Sequence, residues 1–220
     1  MPKNYYWKLS AYESAKLIKD GSILAEDLVS SCIERVNQTN NKINAIVDDL
    51  SASALKKAHK LDKLTKKGKF KGPLHGVPIT IKENIDQKGY ATPNGLEALK
   101  NLIAPGNAPV VDNLEKDGAI VIGRTNTPEF SMRGTTDNLI HGRTYNPWND
   151  WASPGGSSGG ASAAVMSGMG SLAHGNDIAG SLRIPSTATG ACTVKPGLGR
   201  VPAYNPSQTQ ERGLIAQLMS

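Results

Sequence analysis

Cysteine is nearly absent: Cys32 and Cys192 are the 2 thiols in 220 residues, and neither has another cysteine or a histidine at metal-ligand spacing. That excludes a disulfide framework and gives no reason to expect a metal, and lone thiols point to a reducing compartment. Aromatic residues make up only 5% of the chain, too few for a base-stacking platform. Histidine occurs 4 times, and none follows His174. No long apolar run exists either. The longest stretch without a charged side chain, 151–176, is mostly Gly, Ser and Ala, unlike a membrane-spanning helix. The opening Met1-Pro-Lys-Asn-Tyr-Tyr-Trp has no apolar segment of the signal-peptide kind. A cytoplasmic protein without a membrane partner is the expectation.

At 38% apolar and 20% charged residues the chain belongs with folded proteins. Its length suits one domain, or one and a part. The net charge of +6 is local, because eight lysines crowd between Lys56 and Lys71. Only Phe70 interleaves with them, so the run reads as a solvated helix face and not as a nucleic-acid footprint.

Ser10 and Glu13 form a capping-box pattern and Gly21 a stop, which predicts a helix over 11–20. Leu28, Cys32 and Val36, with Val29 and Ile33 beside them, give a buried stripe on a second helix over 24–36, and Cys32 falls in the core. A strand is expected at 43–47. Leu50, Ala54, Ala58 and Leu61 then mark a third helix, with His59 on its solvated side. In Val77-Pro-Ile-Thr-Ile-Lys82 the apolar residues alternate, so Lys82 ends a strand facing away from Val77, Ile79 and Ile81. A helix over 110–116 and a doubly buried strand over 119–123 complete a crossover unit.

Eleven of the 23 glycines fall between Gly155 and Gly199, which directs attention there. Residues 154–160 are unlike a linker, because they run straight into the helix-forming Ala161-Ser-Ala-Ala-Val-Met-Ser. They are not a phosphate loop, since Gly-Lys-Ser/Thr is missing. Gly155-Gly-Ser157-Ser-Gly159 matches the nucleophile elbow of α/β-hydrolases, but that mechanism needs an acid and then a histidine downstream, and the last histidine, His174, comes before Asp177. A serine without histidine can be activated by a neutral lysine.

Gly76-Val-Pro-Ile-Thr-Ile-Lys82-Glu-Asn-Ile, Gly123-Arg-Thr-Asn-Thr-Pro-Glu-Phe130, Asn146-Pro-Trp148, Ser153-Pro-Gly-Gly-Ser157-Ser-Gly-Gly160, Gly180-Ser181-Leu-Arg-Ile-Pro185 and Val194-Lys-Pro-Gly-Leu-Gly-Arg-Val201 stand in this order. Together they resemble the amidase signature family over nearly the whole chain. The resemblance implies an α/β fold, with a mixed, largely parallel β-sheet flanked by helices on both faces. It implies hydrolysis of a small-molecule amide through a serine acyl-enzyme, with Ser181 as nucleophile, Ser157 as the bridging serine after a cis peptide bond, and Lys82 as base. The N–H groups of Ile178, Ala179, Gly180 and Ser181 would form the oxyanion hole. Asp177 and Arg183 would hold that loop, and Ser158 would support by hydrogen bonding. No cofactor or metal is implied, and a homo-oligomer is compatible with all of this.

Two departures stand out. Members commonly carry Thr-Asp and then Gly-Gly-Ser where this chain has Asn176-Asp177-Ile178-Ala179-Gly180-Ser181, so the Ala179 methyl could narrow the hole. Members are also longer, so residues 1–220 are expected to be the N-terminal, triad-bearing part of the domain, a fragment with an uncovered core face and sheet edge. The competing role within the family is the glutaminase component of a glutamyl-tRNA amidotransferase, whose usual Ile-Arg-Gln-Pro is here Leu182-Arg-Ile184-Pro185. The competing role outside catalysis is a silent fragment that acts by binding a partner.

Overall fold

The computed structural model describes residues 2–207. Helix α1 (Ala11–Lys19) starts as its capping box dictates: Ser10 Oγ accepts from Glu13 N–H, and the Glu13 carboxylate accepts from Ser10 N–H. Helix α2 (Ala25–Ile43) begins without a cap of its own. Its first N–H groups, on Ala25 and Glu26, donate to the Asp62 carboxylate at 2.8 and 3.0 Å, which ties it to α3 (Ser51–Thr65).

The second helix ends seven residues later than its apolar stripe predicts. Residues 37–43 carry almost no apolar periodicity, so nothing in the pattern marks the extension. The end is set by Asn40, whose side chain accepts from Ala45 and Ile46 N–H and donates to Ile46 O, while Asn44 takes a left-handed φ of 52°. Strand β1 (Ile46–Asp49) therefore starts three residues later than expected.

Strand β2 (Pro78–Lys82), helix α4 (Pro109–Lys116) and strand β3 (Ile120–Thr125) form the expected parallel crossover unit. Helix α5 (Gly159–Met166) leads to a short strand β4 (Leu172–His174), and α6 (Arg183–Thr189), which no periodicity announced, follows. The sheet order is β1-β3-β2-β4. β2 is parallel to both neighbours, and β1 alone runs antiparallel, against β3.

Alternation along the central strands builds two cores. Ile120 and Ile122 pack with Leu28, Val29, Cys32 and Ala58 of α2 and α3. Val121, Ile79 and Ile81 pack on the other face with Val111 of α4. Thr80 and Lys82, on the remaining face of β2, are fully buried toward α5. Cys32 is core as predicted, and burial pushes its thiol up to about 12. His59 is largely exposed and meets the Glu26 carboxylate. Large apolar side chains stand in solvent over the last third, among them Trp151, Val194 and Leu198. No helix of the described residues is long and apolar enough to cross a membrane.

Candidate active site

Lys82 is the last residue of β2, and its side chain has no exposed surface. Its Nζ lies 2.7 Å from Ser157 Oγ, 2.8 Å from Asn176 Oδ1 and 3.1 Å from Ser158 Oγ. Burial holds the ammonium well below the ordinary lysine range, against the opposing pull of the Glu83 and Asp177 carboxylates. His174, registered on β4 beside Ile81, is pushed down to about 4 by burial and then by the Lys82 charge. Burial thus shifts this site toward the neutral amine, the form that can accept a proton.

Ser157 and Ser158 sit just before α5, and the Gly156–Ser157 peptide bond is cis. The loop runs so close to residues 133–135 that a Cβ on Gly156 would lie 2.3 Å from Arg133 O, so only glycine fits there. Thr127 Oγ1 donates to Ser157 O at 3.1 Å. Ser158 N–H donates to Ser181 O at 3.1 Å, which ties the half-buried Ser181 to the serine pair. Ser158 also exchanges hydrogen bonds with the Asn176 backbone, the supporting role expected of it.

The loop from Asp177 to Arg183 is organised by the Asp177 carboxylate, which accepts from the N–H groups of Gly180, Leu182 and Arg183 and from the Arg183 guanidinium at 2.9 and 3.0 Å. Burial would raise this carboxyl, but the Arg183 hydrogen bond and the three N–H donors outweigh it and hold it well below the usual range. A carboxylate lowered in the folded state stabilises the fold above about pH 4, and that contribution is lost as pH falls through the folded value. Asp177→Asn is therefore expected to lower Tm at pH 7, with the difference from wild type shrinking below about pH 4, as read by thermal melts across that range.

Of the four N–H groups expected to line an oxyanion hole, that of Gly180 is turned to Asp177 at 2.7 Å, which leaves those of Ile178, Ala179 and Ser181. Gly180 has φ +125°, and the Ile184 side chain lies against it. Ala179 is exposed and lies outside the left-handed region, so its methyl is accommodated without strain.

Several further residues of the motifs contribute, although the sequence alone assigns them no role. Asn84 Oδ1 accepts from Asn176 Nδ2 at 3.1 Å, and its own Nδ2 donates to Ser131 Oγ at 3.0 Å. Its position two residues after Lys82 was the available signal. The buried Arg124 donates to Glu83 O, Ile85 O and Ala91 O and pairs with Asp48, so it clamps the chain leaving β2. The Glu83 carboxylate, turned away from Lys82, meets Gly95 N–H and His141 Nε2 at 3.0 and 2.9 Å. Among the described residues no group of three or more His, Cys, Asp or Glu is arranged to hold a metal.

The family model for amidases matches residues 27–214. The chain belongs to the amidase signature family. It is 54% identical over 219 residues to an indoleacetamide hydrolase of Bradyrhizobium diazoefficiens, covering 100% of this chain and 42% of that protein. It is 44% identical over 200 residues to an acylamidase of Rhodococcus erythropolis, covering 91% and 42%. A glutamyl-tRNA(Gln) amidotransferase component of Endomicrobium trichonymphae is 40% identical over 187 residues, covering 85% and 39%. Among solved structures, a fatty acid amide hydrolase superposes with a TM-score of 0.90 at 31% identity, over 94% of this chain and 37% of that one. The amidase fold is thus shared, while this chain spans about two-fifths of the length of these amidase relatives.

Proposed function

We propose that residues 1–220 are the triad-bearing part of an amidase signature domain that hydrolyses the C–N bond of a carboxamide. The observation that carries the reading is the fully buried Lys82 amine 2.7 Å from Ser157 Oγ. Ser181 Oγ attacks the amide carbonyl and forms an acyl-enzyme. Its proton passes to Ser157 while the Ser157 proton passes to Lys82, and the return path protonates the leaving amine. The N–H groups of Ile178, Ala179 and Ser181 receive the oxyanion. Water then releases the carboxylate product by the same relay.

The relatives named indoleacetamide hydrolase and acylamidase support an apolar acyl group as the first substrate class to try. The half-exposed Ile178 and Ile184 beside the loop suit such a group better than the polar side chain of glutamine. Ammonia release from indole-3-acetamide and from free glutamine, compared on the same preparation, tests the choice. Faster release from the arylacetamide is expected. Turnover of glutamine alone would favour the amidotransferase role.

A further inference from the structure

Three oxygens surround Lys82 Nζ, and their protons determine where its lone pair can point. Ser158 Oγ donates to Asn176 O and accepts from Asn176 N–H, both at 3.2 Å. Its one hydrogen is thereby engaged, so toward Lys82 it can only accept. Asn176 Oδ1 is an acceptor by nature, and its amide is held in that orientation because Nδ2 donates to Asn84 Oδ1 at 3.1 Å. Asn84 is fixed in turn by donating to Ser131 Oγ, which donates to Asn94 Oδ1 at 2.7 Å. A neutral amine has two N–H bonds, and these two acceptors take both. The direction left for the lone pair is Ser157 Oγ, whose hydroxyl can donate.

We propose that Asn176 is a positioning residue: its side-chain carbonyl takes one Lys82 N–H and thereby aims the Lys82 lone pair at Ser157. The catalytic meaning of this rests on the amidase reading above. Once the proton has moved, the same three oxygens accept the three N–H bonds of the ammonium, so the nitrogen stays where it is throughout the transfer. Asn176 does this from the segment between β4 and the Asp177 loop, where members of the family commonly carry threonine. The other charged and titratable groups around the amine are the Glu83 carboxylate, Asp177 and His174.

The test uses the full chain labelled with 13Cε,15Nζ-lysine, titrated by NMR, with the Lys82 signal identified by its loss in Lys82→Met. Asn176→Asp keeps the shape and puts an anion against the amine, and is expected to raise the Lys82 midpoint by about one to three pH units. Asn176→Leu keeps the volume and removes an acceptor, and is expected to lower the midpoint. Opposite shifts from two substitutions of similar size are what a merely structural asparagine would not give. Unchanged titration in both variants, or shifts of one sign, with wild-type circular dichroism, would overturn the proposal. If the leucine variant fails to fold, the aspartate variant decides alone. Failure of the amidase reading shows separately, as the absence of a Ser181 adduct, and leaves the Lys82 titration untouched.

Discussion

Lys82→Met is expected to slow acylation of Ser181 by about 10² to 10⁴-fold at neutral pH while the chain keeps its fold, because it removes the proposed general base and little volume. Methionine follows the lysine stem into the same channel. Two stability effects oppose each other. A buried amine no longer has to be desolvated, but Asn176 Oδ1 loses the donor it had at 2.8 Å, which costs about 1–3 kcal/mol for a buried acceptor. The net change in Tm is small beside the change in rate. Labelling rates with a fluorophosphonate, read with thermal melts on the same samples, check both. A variant that melts normally and labels at the wild-type rate would remove Lys82 from the mechanism. The wild-type rate should also hold to pH values below the ordinary lysine range, since burial shifts the amine toward its neutral form.

The second large effect separates the two serines. Ser181→Ala is expected to abolish the covalent adduct, because it removes the oxygen proposed to attack. Ser157→Ala leaves that oxygen in place and removes the group 2.7 Å from Lys82 Nζ, so the adduct should still form on Ser181 but about 10² to 10⁴-fold more slowly. Intact-mass time courses distinguish the outcomes. Equal labelling of Ser181→Ala and wild type would refute the nucleophile assignment, and loss of all labelling in Ser157→Ala would make that serine the attacked group.

Much of this site was legible because its residues obey local rules. Lys82 lies at the end of an alternating strand, and alternation by itself separates it from Ile79 and Ile81 and turns Glu83 away. The crossover from β2 through α4 to β3 follows from apolar periodicity and the Gly118 stop. The glycine crowding matches the close packing of the chain around Ser157, where Gly156 has no room for a side chain. What remained hidden depends on contacts distant in sequence. The last two turns of α2 lack an apolar stripe, and their end is fixed by Asn40 turning back on Ala45 and Ile46. The Asn84–Asn176 pair bridges 92 positions, and asparagines carry no periodic signal. The engagement of Gly180 N–H by Asp177, which narrows the candidate oxyanion donors, requires the folded loop. Helix α6 escaped because Arg183-Ile-Pro-Ser-Thr-Ala-Thr has weak helix formers and no apolar spacing, and it is held instead by the Asp177 loop before it and Gly190 after it.

The central claim is that Lys82, Ser157 and Ser181 act as one acylating unit. The most direct test is intact-mass analysis and peptide mapping of the purified chain after exposure to a fluorophosphonate, with circular dichroism on the same sample. The account predicts a single adduct, on the peptide containing Ser181. An adduct on another residue, or none on a chain that melts cooperatively, would contradict it.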